Sequence, residues 1–202
     1  MMKESGLMKF DFLFFFNSIL IGIGLAMDAF SVSLANGLNE PEMKAGKTQS
    51  IAGIFGMFQF IMPLVGWICV HTIMNIFTQF QKFIPWIALI LLLFIGIKMI
   101  IEGVENKDGN VQAAAVGIAA LLLQAVATSI DALSVGFTIA GFGFMMAFVE
   151  SLIIGVVTYL ICLAGLKLGK TIGTKIAGKA SILGGAILIF IGIEIFVKGI
   201  AG

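Results

Sequence analysis

Two aspartates stand in near-matching five-residue words, Asp28-Ala29-Phe30-Ser31-Val32 and Asp131-Ala132-Leu133-Ser134-Val135, each inside a long apolar run. A carboxylate within a bilayer costs about 2.5–3.5 kcal/mol on translocon-insertion scales, so it persists where a cavity, a partner or a ligand offsets that cost. Two of them in one repeated word point to a single shared site. Residues three apart share a helix face, which sets Ser31 beside Asp28 and both Ser134 and Thr128 beside Asp131. Gln124 lies one turn before Thr128, and Gln59 and Thr158 occupy matching places in two other apolar runs. Carboxylates ringed by neutral oxygens suit a hard divalent cation such as Mn2+ or Mg2+, whereas zinc or copper favours His or Cys. The candidate metal-binding residues are therefore Asp28, Asp131, Ser31, Ser134, Thr128, Gln59, Gln124 and Thr158. The one histidine, His71, falls near the end of a run and reads as interfacial. The eleven methionines, scattered through apolar runs, read as packing residues rather than a Cu(I) path. A purely structural role, each aspartate protonated and bonded to a neighbouring hydroxyl, explains one such residue more readily than a repeated pair.

Such a site needs apolar helices around it, and the composition supplies them. Of the 202 residues 60% are hydrophobic and 11% charged, far from the balance of a soluble domain. Six apolar runs, at 12–36, 48–72, 84–104, 111–140, 144–167 and 181–201, each meet the ~17–25 residues that cross a hydrocarbon core. The expected fold is all-α, a polytopic membrane protein of six transmembrane helices forming a single domain over 1–202. Short loops leave no room for a soluble catalytic or nucleic-acid-binding domain. The first run is too long for a signal h-region and is expected to be retained. Cys69 and Cys162 fall inside apolar runs without CxxC spacing, which points to packing rather than a disulfide or a thiolate site.

The six runs divide into two halves, 12–104 and 111–201. Asp28 and Asp131 are offset by 103 residues; Gly56, Gln59 and Gly66 match Gly155, Thr158 and Gly165 at 99; Phe94-Ile95-Gly96-Ile97 matches Phe190-Ile191-Gly192-Ile193 at 96. An odd number of spans per half turns the halves upside down relative to each other. The expectation is two inverted three-helix repeats, the architecture of many secondary transporters, whose site lies near the midplane between the repeats. Asp28 stands about eight residues before the end of its span and Asp131 about nine, roughly 12 and 13.5 Å at ~1.5 Å per residue. Measured from opposite faces of a core of ~30 Å, the two depths differ by about 4–5 Å. The aspartates can then meet. Gly22, Gly24, Asn36-Gly37 and Gly136 flank them, and either interrupt both helices, freeing carbonyls as ligands, or let helices pack closely.

The chain has no arginine, so lysines set its orientation. Lys44, Lys47, Lys107, Lys167, Lys170, Lys175 and Lys179 fall on one side and Lys3, Lys9, Lys82 and Lys198 on the other. The positive-inside rule then places both termini outside the cytoplasm. Lys98 with Glu102, and Glu194 with Lys198, read as pairs neutralised along their own helices. Glu150 reads as an interfacial acid at the opening of the fifth span, and Glu40, Glu42, Glu105 and Asp108 as solvated.

At these residues the chain resembles the MntP family of proposed manganese efflux pumps, within a superfamily related to the lysine exporters. The likeness covers almost everything after the first ten residues. Its most specific pieces are Gly24-Leu25-Ala26-Met27-Asp28-Ala29-Phe30, Pro63-Leu64-Val65-Gly66-Trp67, Met99-Ile100-Ile101-Glu102-Gly103, Ala127-Thr128-Ser129-Ile130-Asp131-Ala132 and Ile182-Leu183-Gly184-Gly185. The resemblance implies a six-span bacterial inner-membrane protein exporting Mn2+, with Asp28 and Asp131 as functional acids and no cofactor. Some relatives carry an acid where this chain has Gln59, which leaves the number of carboxylates open.

The expected function is secondary transport of Mn2+ out of the cytoplasm by alternating access, with no enzymatic activity. Protons are the candidate counter-ion, since they compete with metal for the aspartates and no GxxxxGK[ST] motif is present. Export of an amino acid or other small solute is the first alternative. An intramembrane aspartyl protease is a more distant one, as neither aspartate lies in a GxGD setting.

Overall fold

The computed structural model describes residues 11–72, 84–105, 117–175 and 180–201. These residues form helices and no strands: α1 (Phe12–Asn39), α2 (Ala45–Thr72), α3 (Ile84–Glu105), α4 (Ile118–Thr128), α5 (Ile130–Thr138), α6 (Phe144–Lys175) and α7 (Ala180–Ala201). Four stretches are long and apolar enough to cross a membrane: Phe12–Asn39, Ala45–His71, Ile118–Thr138, which joins α4 to α5, and Phe144–Gly173. The chain is a multi-pass membrane protein. Large apolar side chains such as Ile90, Phe94, Leu160 and Phe190 face outward, as expected where hydrocarbon rather than water surrounds the bundle.

The hydropathy runs locate the helices but stop short of their ends. α1 runs three residues past 36 and α6 eight past 167, because the polar last turns continue the backbone ladder after the apolar stretch is over. At its start α1 is capped by Asp11, whose Oδ1 accepts from Phe14 N–H at 2.8 Å. Residues 111–116 of the fourth run lie outside the described residues.

Small residues bring the helices together. A Cβ added to Gly56 would meet Gly155 O at 2.8 Å, and one added to Gly155 would meet Gly56 O at 2.8 Å, so α2 and α6 touch backbone to backbone. Gly96 and Gly185 join α3 to α7 in the same reciprocal way. Gly22, Gly165 and Gly37 carry α1 along α6, against Ile154, Phe30 O with Ser33, and Gly169 respectively. Close approach through small residues is the usual means of packing helices in lipid, where no hydrophobic force draws them together. The register of these contacts fixes directions. Gly22 lies near Ile154 and Gly37 near Gly169, so α1 and α6 run parallel. Gly56 lies near Tyr159 and Phe60 near Gly155, so α2 and α6 run antiparallel. Gln59 reaches Thr128, Gly66 reaches Gly136 and Trp67 reaches Phe142, so α2 runs parallel to α4–α5. It follows that α1 and α4–α5 run in opposite directions.

Candidate metal-binding site between α1, α2 and α4–α5

Span four is interrupted beside its aspartate. Between α4 and α5 sits Ser129, with φ −110° and ψ 9°. Thr128 Oγ1 donates back to Gln124 O at 2.9 Å, and Ser129 Oγ to Ala125 O at 2.7 Å and Val126 O at 3.2 Å. Hydroxyls that bond back to the preceding turn compete with the helix ladder and bend it. At the matching positions of span one stand Leu25 and Ala26, which have no hydroxyl, and α1 is continuous through Asp28. The expected interruption is thus found in one span and not the other. The glycines are not its cause: Gly22 and Gly136 are packing points, and Gly24 faces open space.

Gln59 of α2 is fully buried and ties the two aspartate-bearing spans together. Its Nε2 donates to Leu25 O at 3.0 Å and to Thr128 O at 3.2 Å, which puts those carbonyl oxygens within about 6 Å of each other. Asp28 follows Leu25 by three residues, and Asp131 follows Thr128 by three. Asp28 is half-buried on α1. Asp131 is exposed in the first turn of α5, where its Oδ1 accepts from Ala132 N–H at 2.8 Å.

Buried oxygens without partners among the described residues stand at two repeat-matched positions. Gln59 Oε1 and Thr158 Oγ1, at the positions matched by the 99-residue offset, are buried and have no hydrogen-bond partner among the described residues. Pro63 lies inside α2 and lacks the N–H that would bond to Gln59 O, so that backbone carbonyl is also released from the ladder. Unpartnered buried oxygens are rare in folded proteins and mark places where a ligand or water completes them.

The other sequence-predicted residues fall out differently. Ser31 Oγ donates to Met27 O at 3.0 Å, keeping its lone pairs, and Ser134 is exposed. Gln124 is engaged elsewhere: Asn36 Nδ2 donates to Gln124 Oε1 at 2.8 Å, and Gln124 Nε2 to Asn36 Oδ1 at 3.4 Å, with both residues 0% exposed. In the sequence Asn36 closes the first apolar run and reads only, with Gly37, as a point of interruption or close packing; spacing gives no sign of its partner. Glu150 is not an interfacial acid at a helix start. It lies two turns into α6, 3% exposed, with Oε2 unpartnered among the described residues. The side chains of Glu102 and Lys198 lie outside the described residues, as do Lys82, Lys107, Asp108 and Lys179. No group of three or more His, Cys, Asp or Glu comes together among the described residues, so a cation held here relies on neutral oxygens beside the aspartates.

A family model described as "Putative manganese efflux pump" matches residues 42–196. The chain belongs to the MntP family. A relative named "Putative manganese efflux pump MntP" from Methanobrevibacter smithii is 42% identical over 177 residues, covering 88% of this chain and 94% of the relative. A Clostridium botulinum (strain Loch Maree / Type A3) protein of the same name is 42% identical over 196 residues, covering 89% and 92%. A third MntP relative, from Methanosarcina acetivorans, is 40% identical over 185 residues, covering 91% and 96%. No solved structure matches the chain.

Proposed function

We propose that this chain is a transporter that moves Mn2+ out of the cytoplasm, binding it between two inverted three-helix repeats at Asp28 and Asp131. The observation that carries the reading is the Gln59 bridge, which holds Leu25 O and Thr128 O on one nitrogen, one turn from the two aspartates. The inverted repeat is supported by the opposite directions of α1 and α4–α5, and by one repeated contact. Gly66 packs on Leu133 O and Gly165 on Phe30 O, and these residues are related by the same offsets of 99 and 103. At 22 residues each, α3 and α7 are about 33 Å long, enough to serve as the third span of each half. Manganese itself comes from the names of the relatives, and the hard-oxygen donor set agrees with it.

Ser31, Ser134, Thr128, Thr158 and Gln59 Oε1 supply the neutral oxygens around the two carboxylates. Gln124 is a more distant member, as its amide is already paired. Carrying two positive charges outward against 100 mV costs about 4.6 kcal/mol, at ~2.3 kcal/mol per charge, so export needs a coupling ion. Protons serve because they and the metal compete for the same carboxylates. Alternating access then consists of the two halves tilting about the bridge, in the inner membrane with both termini outside the cytoplasm.

Metal uptake into inverted membrane vesicles tests this. Wild type accumulates Mn2+, while Asp28→Asn and Asp131→Asn each abolish accumulation at unchanged expression. Retained uptake in either variant overturns the site, and uptake indifferent to an imposed pH gradient overturns the proton coupling.

A further inference from the structure

The buried Asn36–Gln124 pair has no counterpart in the other half. The 103-residue offset that relates the aspartates carries Asn36 onto Ile139 and Gln124 onto Ile21. Asn36 stands eight residues after Asp28 on α1, and Gln124 seven residues before Asp131 on α4. Because those helices run in opposite directions, both amides lie on the same side of the aspartates, roughly 10–12 Å away along the helix axes. The matching place on the far side is held by isoleucines.

The helix break falls between the amide and the acid of span four. Gln124 belongs to α4 and Asp131 to α5, with Ser129 between them. α5 is clamped to α2: a Cβ on Gly136 would meet Gly66 Cα at 2.7 Å and Trp67 N at 2.8 Å, and Trp67 Nε1 donates to Phe142 O at 3.0 Å. α4 carries outward-facing Ile118 and Leu122 and packs chiefly on α3, touching α2 less, with the Gln59–Thr128 bond right beside the break. A turn of α4 about Ser129 would leave that clamp intact.

We propose that Asn36 and Gln124 form the latch of a gate on the side of the bundle where Glu40 and Lys47 lie, opened by α4 turning about Ser129. Closed, the pair shuts Asp28 and Asp131 off from water on that side. Parted, it presents two neutral amide oxygens, hard donors for a divalent cation shedding its hydration shell on the way to the aspartates. The far side, apolar at the corresponding place, opens by a different set of contacts. The proposal rests on reading the aspartate pair as the transport site.

The test is sidedness of access without any metal. In a Cys69→Ala/Cys162→Ala background, Val32→Cys places a reporter one turn from both Asp28 and Asn36, at a position 0% exposed in this structure. Its modification by a membrane-impermeant thiol reagent is timed in membranes of each orientation. Gln124→Ala and Asn36→Ala should each raise the rate about tenfold from the Glu40–Lys47 side alone, the shift in opening that loss of one or two buried neutral hydrogen bonds produces. Ile21→Ala and Ile139→Ala should leave access from that side unchanged. An unchanged rate in the amide variants, or an equal rise from both sides, overturns the latch. Should the alanine variants fail to assemble, Gln124→Met fills the same volume without an amide and must give the same one-sided rise. A negative result here counts against the latch alone, whereas Mn2+ binding retained by Asp28→Asn and Asp131→Asn counts against the transport site alone.

Discussion

The backbone carbonyls of Leu25 and Thr128 accept hydrogen bonds from the same nitrogen, Nε2 of Gln59, and the two residues are related by the offset that relates Asp28 to Asp131. One amide from α2 therefore holds a point on each aspartate-bearing span. A carboxylate at position 59 cannot donate to either carbonyl.

Two substitutions there should both destabilise, and only one of them should answer to metal. Gln59→Leu loses both bonds and leaves two buried carbonyls short of a donor, lowering stability by about 1–3 kcal/mol. Gln59→Glu places an anion against those carbonyls, so it is destabilised without metal and regains stability when Mn2+ bridges the oxygens. Thermal unfolding in detergent, with and without Mn2+, measures both. A Gln59→Glu protein indifferent to Mn2+ contradicts the expectation.

If Asp28 and Asp131 hold the metal as proposed, Mn2+ competes with protons for them, since only the deprotonated carboxylate is a ligand. Affinity therefore falls as pH falls, by up to about tenfold per pH unit for each proton displaced. Isothermal titration at two or three pH values, in buffers of different ionisation enthalpy, counts those protons. In Asp28→Asn the count should drop by one.

The helix seams tolerate no added methyl group where backbones touch. Gly66→Ala and Gly136→Ala force α2 and α5 apart, costing about 1–3 kcal/mol each. Gly53→Ala, where a Cβ meets nothing within 4 Å, gains about 0.5–1 kcal/mol by restricting the unfolded chain. Unfolding midpoints of the three variants should diverge in sign.

Ser129→Ala removes the hydroxyl that bonds Ala125 O and Val126 O and puts a strong helix former at the break, worth about 0.5 kcal/mol toward a continuous helix. The expected outcome is a folded protein that still binds Mn2+ but transports it more slowly. Equal loss of binding and flux would place Ser129 in the binding site instead.

Much of the fold was legible because hydropathy reports the environment along each span, and the six runs locate the helices where these are described, although α6 continues eight residues beyond its run. The two aspartates stand out as candidates for the complementary reason, that a charge in an apolar run is expensive and repeated words are rare. What could not be read was partner choice. Whether an amide such as Gln124 faces a cation or another amide depends on which helix lies across from it, and sequence spacing is silent on that. The same limit hid Glu150, whose burial is decided by the helices around α6 rather than by its own neighbours. The break at Ser129 was half legible. The glycines serve to pack helices together, while the adjacent hydroxyls of Thr128 and Ser129, which have no equals at Leu25 and Ala26, carry the signal.

Lys170 Nζ donates to Met43 O, and Lys47 pairs with Glu40 at 2.6 Å. The short connection between α1 and α2 is thereby fastened to the final turns of α6, chain segments 127 residues apart. Lys44 and Lys167 stand exposed nearby in sequence, so cationic groups from distant parts of the chain gather on one membrane face. One basic patch is thus built from two segments far apart in the chain, and Lys170→Ala should release the α1–α2 connection from α6.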